Sequence, residues 1–407
     1  MPKLSYICPY CFNEHKMTDV DFRCMNRRCE QVEDIPYGQY YAFKNPPMMQ
    51  RTFHSDKAKG MGMPSRAVCP NCHEESNVRL CPSCHNVLPS AVEKNNEMII
   101  SLIGTRGSGK SNYVAVLVNQ LKKHIAMRFN GAAKLMTDED KRQYDKRFGD
   151  FVYGPHPKVI PATDTDLRGQ EIIKANRPIL CDFKVGKKRR LLGDLIIPYT
   201  FVFFDAAGEN FEDQEVMRTV SKYIGQSEGI IFLIDPFQIP TVRRSFEENS
   251  DVVKGAAGAE LGTVSSPAEV IDRVASLVRA NKHMKEEEKV PIPVSVAFSK
   301  LDAIESLLPG TSILKKESPH VKQGSFVERD QVMVNSEMLG LLNEWDEQDF
   351  LAELKMNYAN YSLSAFSALG SNPDPKTGSI AVPRPHRIED GFLWILKENN
   401  VIPSLRR

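Results

Sequence analysis

Met98-Ile-Ile-Ser-Leu-Ile-Gly104-Thr105-Arg106-Gly107-Ser108-Gly109-Lys110-Ser111 is an apolar run that breaks into a glycine-rich turn ending on a lysine and a hydroxyl. The apolar run reads as a buried strand. Tyr113, Val114, Val116, Leu117, Leu121 and Ile125 follow at helical spacing, so the turn joins a strand to an amphipathic helix. The turn fits G-x-x-x-x-G-K-[ST] without a mismatch. Its glycines let successive backbone N–H groups face phosphate oxygens, Lys110 reaches toward the β- and γ-phosphates, and the Ser111 hydroxyl is suited to Mg²⁺. Gly104 to Ser111, with Asn112 behind them, are therefore expected to hold the phosphates of a nucleotide. The plainer reading, a glycine-rich turn with a solvated lysine, does not account for the strand before it and the helix after it.

From about Glu97 onward strands and helices alternate, which predicts an α/β fold around a mostly parallel sheet. The runs 178–185 (PILCDFKV) and 191–205 (LLGDLIIPYTFVFFD), joined by the basic stretch Gly186 to Arg190, read as an antiparallel edge hairpin, with Cys181 a small core residue. The second run delivers Asp205 at its carboxyl end, where a second Mg²⁺ partner belongs, and Gly208 three residues on offers an unobstructed N–H to a γ-phosphate. Gly229 to Asp235 is the next buried strand. After a glycine- and alanine-rich insertion, Ser266-Pro-Ala-Glu269 forms a capping box that opens a helix through Arg279. A strand over 291–298 runs into Ser299-Lys300-Leu301-Asp302. A carboxylate at Asp302 can accept from guanine N1–H and N2–H₂, and is left unpaired against adenine; the Lys300 stem can cover the base face. One helix is expected over 331–356, then a strand over 358–365. Ser364-Ala365 would offer an N–H to guanine O6, with Ser367-Ala368 the competing register, and a last amphipathic helix spans 387–398.

The amino-terminal ninety residues have a different composition. Eight of the nine cysteines fall into pairs: Cys8/Cys11, Cys24/Cys29, Cys69/Cys72 and Cys81/Cys84. Each close pair forms a tight knuckle, and two pairs complete a four-thiolate Zn²⁺ shell with no position left for water, which makes such sites structural. Paired in sequence order, they give two zinc ribbons (1–44 and 67–90) separated by a mobile linker (45–66) and followed by the nucleotide domain (95–407); an interleaved pairing stays open. His15 is an alternative ligand near the irregular Cys24/Cys29 pair, and His73 and His85 read as bystanders. Arg23, Arg27 and Arg28 make the first ribbon locally basic. Glu30, Glu33 and Asp34 dilute that charge, which favours protein docking over nucleic-acid binding. A formal net charge of +1 gives no bulk attraction to nucleic acid or anionic lipid. With neither a secretory leader nor a membrane-length apolar run, a cytoplasmic protein is expected.

The ordered set GTRGSGKS, DAAGE, SKLD and LSAFSA resembles the translation-factor-related (Ras-like) class of P-loop GTPases across roughly residues 97–400. The ribbons and the PHRIEDGFLWIL helix look more narrowly like prokaryotic members of the double-GTPase group, proposed components of bacterial conflict or antiphage systems. The resemblance implies that Gly104 to Ser111 are the phosphate loop, Asp205 and Gly208 the second switch, and Ser299, Lys300 and Asp302 the base reader. It also implies a first-switch threonine on Mg²⁺, Thr163 in preference to Thr165, with GTP or GDP and Mg²⁺ as cofactors beside two zinc ions. The expected activity is GTP hydrolysis by in-line water attack, with Lys110, Thr163 and Glu209 at the reacting end and a protein partner on the ribbons or switch loops. Glu209 stands where such enzymes usually carry glutamine, and Arg106, Arg243 and Arg244 are the candidate assisting arginines within the chain. A GTP-sensing scaffold with little turnover and an ATPase recruited to nucleic acid are the competing readings.

Overall fold

The computed structural model describes residues 3–41, 43–55, 62–104, 107–160, 178–187, 195–205, 221–246, 266–374 and 376–406, with the backbone alone at 187, 204 and 205. Its centre is a seven-stranded sheet built from β1 (Asn96–Gly104), β2 (Ala132–Leu135), β3 (Ile179–Lys187), β4 (Leu195–Asp205), β5 (Gly229–Ile234), β6 (Val294–Phe298) and β7 (Tyr361–Ala365), in the order β2-β3-β4-β1-β5-β6-β7. The run from β4 to β7 is parallel, and β3 and β2 close one edge antiparallel. Every residue of β5 and β6 is buried, as expected of parallel strands covered on both faces.

Strand alternation divides the core into two layers. Ile99, Ile103, Val202, Ile230, Phe232, Val294 and Val296 face one side, against Ile271, Val274 and Val278 of α2 (Pro267–Lys282) and Val334 and Met338 of α3 (Glu328–Glu344). Met98, Ile100, Leu102, Phe201, Phe203, Ile231 and Leu233 face the other. There they meet the helix that begins at α1 (Lys110–Gln120) and α5 (Asp390–Glu398).

The expected helix over 331–356 is two helices, α3 and α4 (Gln348–Asn357), separated by Asp346 at φ +61. The polar stretch after α1 is ordered into β2 and the helices Asp138–Tyr144 and Asp150–Tyr153. No helix among the described residues is long and apolar enough to cross a membrane.

The amino-terminal segment folds as one module. Asp21–Arg23 is a central strand between Thr52–His54 and Val78–Leu80, which joins chain from both supposed ribbons into one small sheet. Met48–Gln50 pairs with Gln31–Glu33. Residues 48–54, expected as a linker, are thus strand segments of the module, and the sequence-order division into two ribbons gives way to an interleaved one.

Candidate functional site

The parallel strands β4, β1, β5, β6 and β7 end on the same edge of the sheet. Asp205 lies opposite Leu102, Gly104 opposite Leu233, Ile234 opposite Phe298, and Phe298 opposite Ala365. The backbone at Asp205, the turn after Gly104 and the loop from Ser299 therefore sit along one rim, where ligands bind in open parallel sheets. From β1 to β6 the lateral separation is two strand spacings, about 10 Å.

The turn after β1 has glycine where geometry demands it. A Cβ on Gly104 would lie 2.5 Å from the Leu233 carbonyl oxygen and 2.6 Å from Ser108 Oγ, so any side chain collides with backbone. Gly107 and Gly109 hold φ of +76° and +82°, and a Cβ on either would meet nothing within 4 Å. Gly109 caps α1, whose first-turn N–H groups carry the positive end of the helix dipole. Lys110 Nζ donates to the Gly104 carbonyl oxygen at 2.8 Å, folding the lysine back over the turn. Ser108 is fully buried and its hydroxyl has no hydrogen-bond partner among the described residues. A buried hydroxyl with no partner among the described residues, beside the amino-terminal end of α1, suits an anion. Ser111 is half-buried on the first turn of α1. Asn112 Oδ1 accepts from the Ile160 amide at 3.3 Å, anchoring the chain as it enters the segment that carries Thr163 and Thr165. Those two threonines, and Thr105, Arg106, Gly208 and Glu209, lie outside the described residues.

Beyond β6 the backbone is fastened to both neighbours. Ser299 donates its amide (2.9 Å) and its hydroxyl (3.2 Å) to the Ile234 carbonyl oxygen. Leu301 N donates to Phe366 O at 3.0 Å, and Phe366 N to Phe298 O at 2.8 Å. Lys300 sits at φ +54° and its ammonium donates to Asp235 Oδ2 at 2.6 Å. Asp302 is half-buried and has no hydrogen-bond or ion-pair partner among the described residues.

Ser364 and Ala365 end β7 as buried residues, with the Ser364 hydroxyl facing Gly391 of α5. In the competing register, Ser367 gives its amide to His386 O and its hydroxyl accepts from Gly370 N. Arg243 and Arg244 donate to the carbonyl oxygens of Phe237 and Pro240 on the β5 side of this rim.

The cysteines form two clusters, Cys8/Cys11/Cys81/Cys84 and Cys24/Cys29/Cys69/Cys72. Sequence order does not group them this way; the interleaved arrangement does. Sulfur–sulfur distances are 3.8 Å for Cys8–Cys84, 3.7 Å for Cys11–Cys81, 3.5 Å for Cys24–Cys72 and 4.0 Å for Cys29–Cys69. A tetrahedron with Zn–S bonds of about 2.3 Å has edges of about 3.8 Å, so both clusters fit a zinc ion. Three of the four pairs repeat one knuckle: the residue after the second cysteine (Phe12, His73, His85) has positive φ and donates its amide to the first cysteine's carbonyl oxygen. Cys24 and Cys29, with four residues between them, lack this turn.

His15 does not join the Cys24/Cys29 pair; its Nε2 lies 3.4 Å from Cys81 Sγ at the other cluster. His85 is no ligand either. Its ring bonds Asp34 at 2.6 Å and lies 3.5 Å from Asp21. Arg23 is spent inside the module on Asp34 at 2.7 Å, which withdraws it from the expected basic surface.

Sequence reading did not find a third cluster: His320, Asp330 and Asp390, all buried, with Arg387 paired to both carboxylates. Its chemistry does not suit a cation. His320 Nδ1 accepts the Val327 amide at 3.0 Å, so the neutral ring carries its proton on Nε2, the nitrogen that faces the carboxylates. The Arg387 guanidinium already supplies the positive charge. The cluster locks α5 onto α3, and only spatial convergence of residues far apart in the chain reveals it.

No family model matches the chain. A curated relative described as "Putative ESX-1 scaffolding and assembly protein SaeC", from Mycolicibacterium smegmatis, is 23% identical over 334 residues, covering 78% of this chain and 79% of that protein. Among solved structures, the signal recognition particle receptor SRb–GDP from Chaetomium thermophilum aligns with 69% of this chain and 94% of its own, at 9% identity and a TM-score of 0.23.

Proposed function

We propose that this chain is a guanine-nucleotide switch, a Mg²⁺-dependent GTPase whose zinc-held amino-terminal module docks a protein partner. One observation carries the reading. The glycine-rich turn after β1 and the Ser299–Asp302 loop after β6 lie at the same rim of one sheet, two strands apart, and the buried Ser108 hydroxyl of the turn has no partner among the described residues. In this reading Gly104 to Asn112 wrap the phosphates, and Lys110 leaves the Gly104 carbonyl to neutralise β- and γ-oxygens. Ser111, Asp205 and Thr163 are the residues that would hold Mg²⁺. Asp302 accepts from guanine, and Ser364-Ala365 border its O6. Gly208 and Glu209 would face the γ-phosphate and the attacking water. Mg²⁺ would supply charge neutralisation for the triphosphate, and the chain's own contribution is to position the triphosphate and exclude the wrong base.

The curated relative is named for scaffolding and assembly. We therefore place the nucleotide state upstream of a protein assembly, with the zinc module as the docking element. The second reading, a GTP-sensing scaffold with little turnover, draws on that name and on Glu209. Titration with fluorescent GTP and ATP analogues, followed by single-turnover hydrolysis, tests both. We expect guanine preference, loss of binding in Lys110→Ala, and in Asp302→Asn a loss of GTP affinity on the order of a hundredfold with a gain toward xanthine nucleotides. Equal affinity for the two analogues, or an unchanged Asp302→Asn variant, ends the guanine assignment. Binding without turnover selects the scaffold.

A further inference from the structure

Asp235 closes β5, is 5% exposed, and has both carboxylate oxygens engaged: Oδ1 accepts the Phe237 amide at 3.0 Å and Oδ2 accepts Lys300 Nζ at 2.6 Å. Arg243 tightens the same turn by donating to the Phe237 carbonyl oxygen at 3.2 Å. Across from it, Lys300 holds a left-handed backbone that residues other than glycine adopt rarely. Two residues on, Asp302 has no partner among the described residues. A lysine and an aspartate two residues apart attract each other, and here the buried Asp235 carboxylate holds the ammonium instead. Burial raises the Asp235 carboxyl above its usual range and the Lys300 ammonium draws it back, so the pair is held in a desolvated setting where charge-assisted bonds are strong.

We infer that Asp235 is a positioning residue for base recognition: by holding the Lys300 ammonium it fixes the loop and keeps the Asp302 carboxylate free for the guanine N1–H and N2–H₂ edge. This rests on the guanine-binding reading above. Asp235 never touches the nucleotide; its action is to prevent a Lys300–Asp302 pair that would cancel the charge which distinguishes guanine from other purines.

The test uses the full-length, zinc-loaded protein and competition titrations with GDP and with IDP, which lacks the 2-amino group. Asp235→Asn should weaken GDP binding about tenfold, the scale of one charge-assisted hydrogen bond, and lower the GDP-to-IDP affinity ratio. Asp235→Glu should recover part of both. In the Asp235→Asn background, Lys300→Met should restore the ratio, because the competitor for Asp302 is gone; a purely structural role for Asp235 predicts no such rescue. If wild type prefers GDP to ADP but Asp235→Asn leaves affinity and ratio unchanged, or the double variant fails to restore the ratio, this inference is overturned and the guanine reading stands. If wild type shows no preference between GDP and ADP, both fall together.

Discussion

Glu228 shows how one residue imposes a pH dependence on the sheet. It lies at the foot of β5, where its Oε2 accepts the Ile99 amide of β1 at 2.7 Å. Burial pushes its carboxyl up to about 7; the Ile99 bond opposes the shift and the nearby Glu97 charge adds to it. A carboxyl raised in the folded state above its unfolded value stabilises the fold fully below pH ~4.5, and that contribution is lost as pH rises through about 7. Glu228→Gln keeps an acceptor for Ile99 without the charge. Its stability relative to wild type should be near zero at pH 4 and rise to roughly 3 kcal/mol at pH 8. Urea midpoints at the two pH values measure this, and a difference independent of pH refutes it.

At this scale the sequence exposed the groups whose chemistry is local. Gly104 is legible because the tight turn asks for glycine at that position; Lys110 and Asp302 stand where a phosphate and a base would ask for them in the function proposed above. Asp235 acquires meaning only from what folds against it, so no spacing could announce it; the motif includes Ser108, but that its hydroxyl is buried without a partner among the described residues is visible only in the fold.

Among the elements, α2 was the most completely legible. Ser266 accepts the Glu269 amide at 3.2 Å and the Glu269 carboxylate accepts the Ser266 amide at 3.0 Å, the reciprocal box written in Ser-Pro-Ala-Glu. Ser266→Ala should cost about 1 kcal/mol in denaturant stability, while Ser266→Asp, also a good cap, should cost little. Equal losses in the two variants would mean that the serine acts through something other than its capping oxygen.

The elements that escaped were those that their partners define. Ala132–Leu135 has no strand periodicity of its own and becomes β2 because Cys181 to Lys184 present a free edge to it. The break between α3 and α4 was hidden because Trp345 and Asp346 fit the helical pattern on either side. Asp346 nevertheless turns left-handed, and Trp345 reaches back to pack on Phe298.

In the whole molecule, cysteine spacing pointed to four-thiolate clusters that could hold zinc, but not to which pairs form them. Each knuckle fixes only its own two thiolates, and any knuckle can pair with any other. The choice is made by Asp21–Arg23 pairing with both Thr52–His54 and Val78–Leu80, which carries the last cysteine pair back to the first. The two clusters then differ in what they support. Cys8, Cys81 and Cys84 belong to the core that continues through Phe12 and Val92 to Ile99, Leu180 and Val202 of the central sheet. Phe12 packs on Tyr223 with ring centroids 5.0 Å apart, Asn13 accepts from Lys222 at 2.7 Å, and Tyr223 donates to Ile100 O of β1 at 2.5 Å. Cys24, Cys29 and Cys69 form a small cluster of their own, with Phe53 and Cys72 against it.

Metal analysis should therefore find about two zinc ions per chain, and the two sites should have unequal effects when broken. Cys11→Ser should lower the main thermal transition by about 5 °C or more, because losing that metal loosens core packed against β1. Cys72→Ser should leave the main transition nearly in place while releasing one zinc ion and exposing residues 21–76 to proteolysis. Matched shifts in the two variants would show that the clusters support the sheet equally, and a folded chain without metal would remove zinc from the architecture altogether.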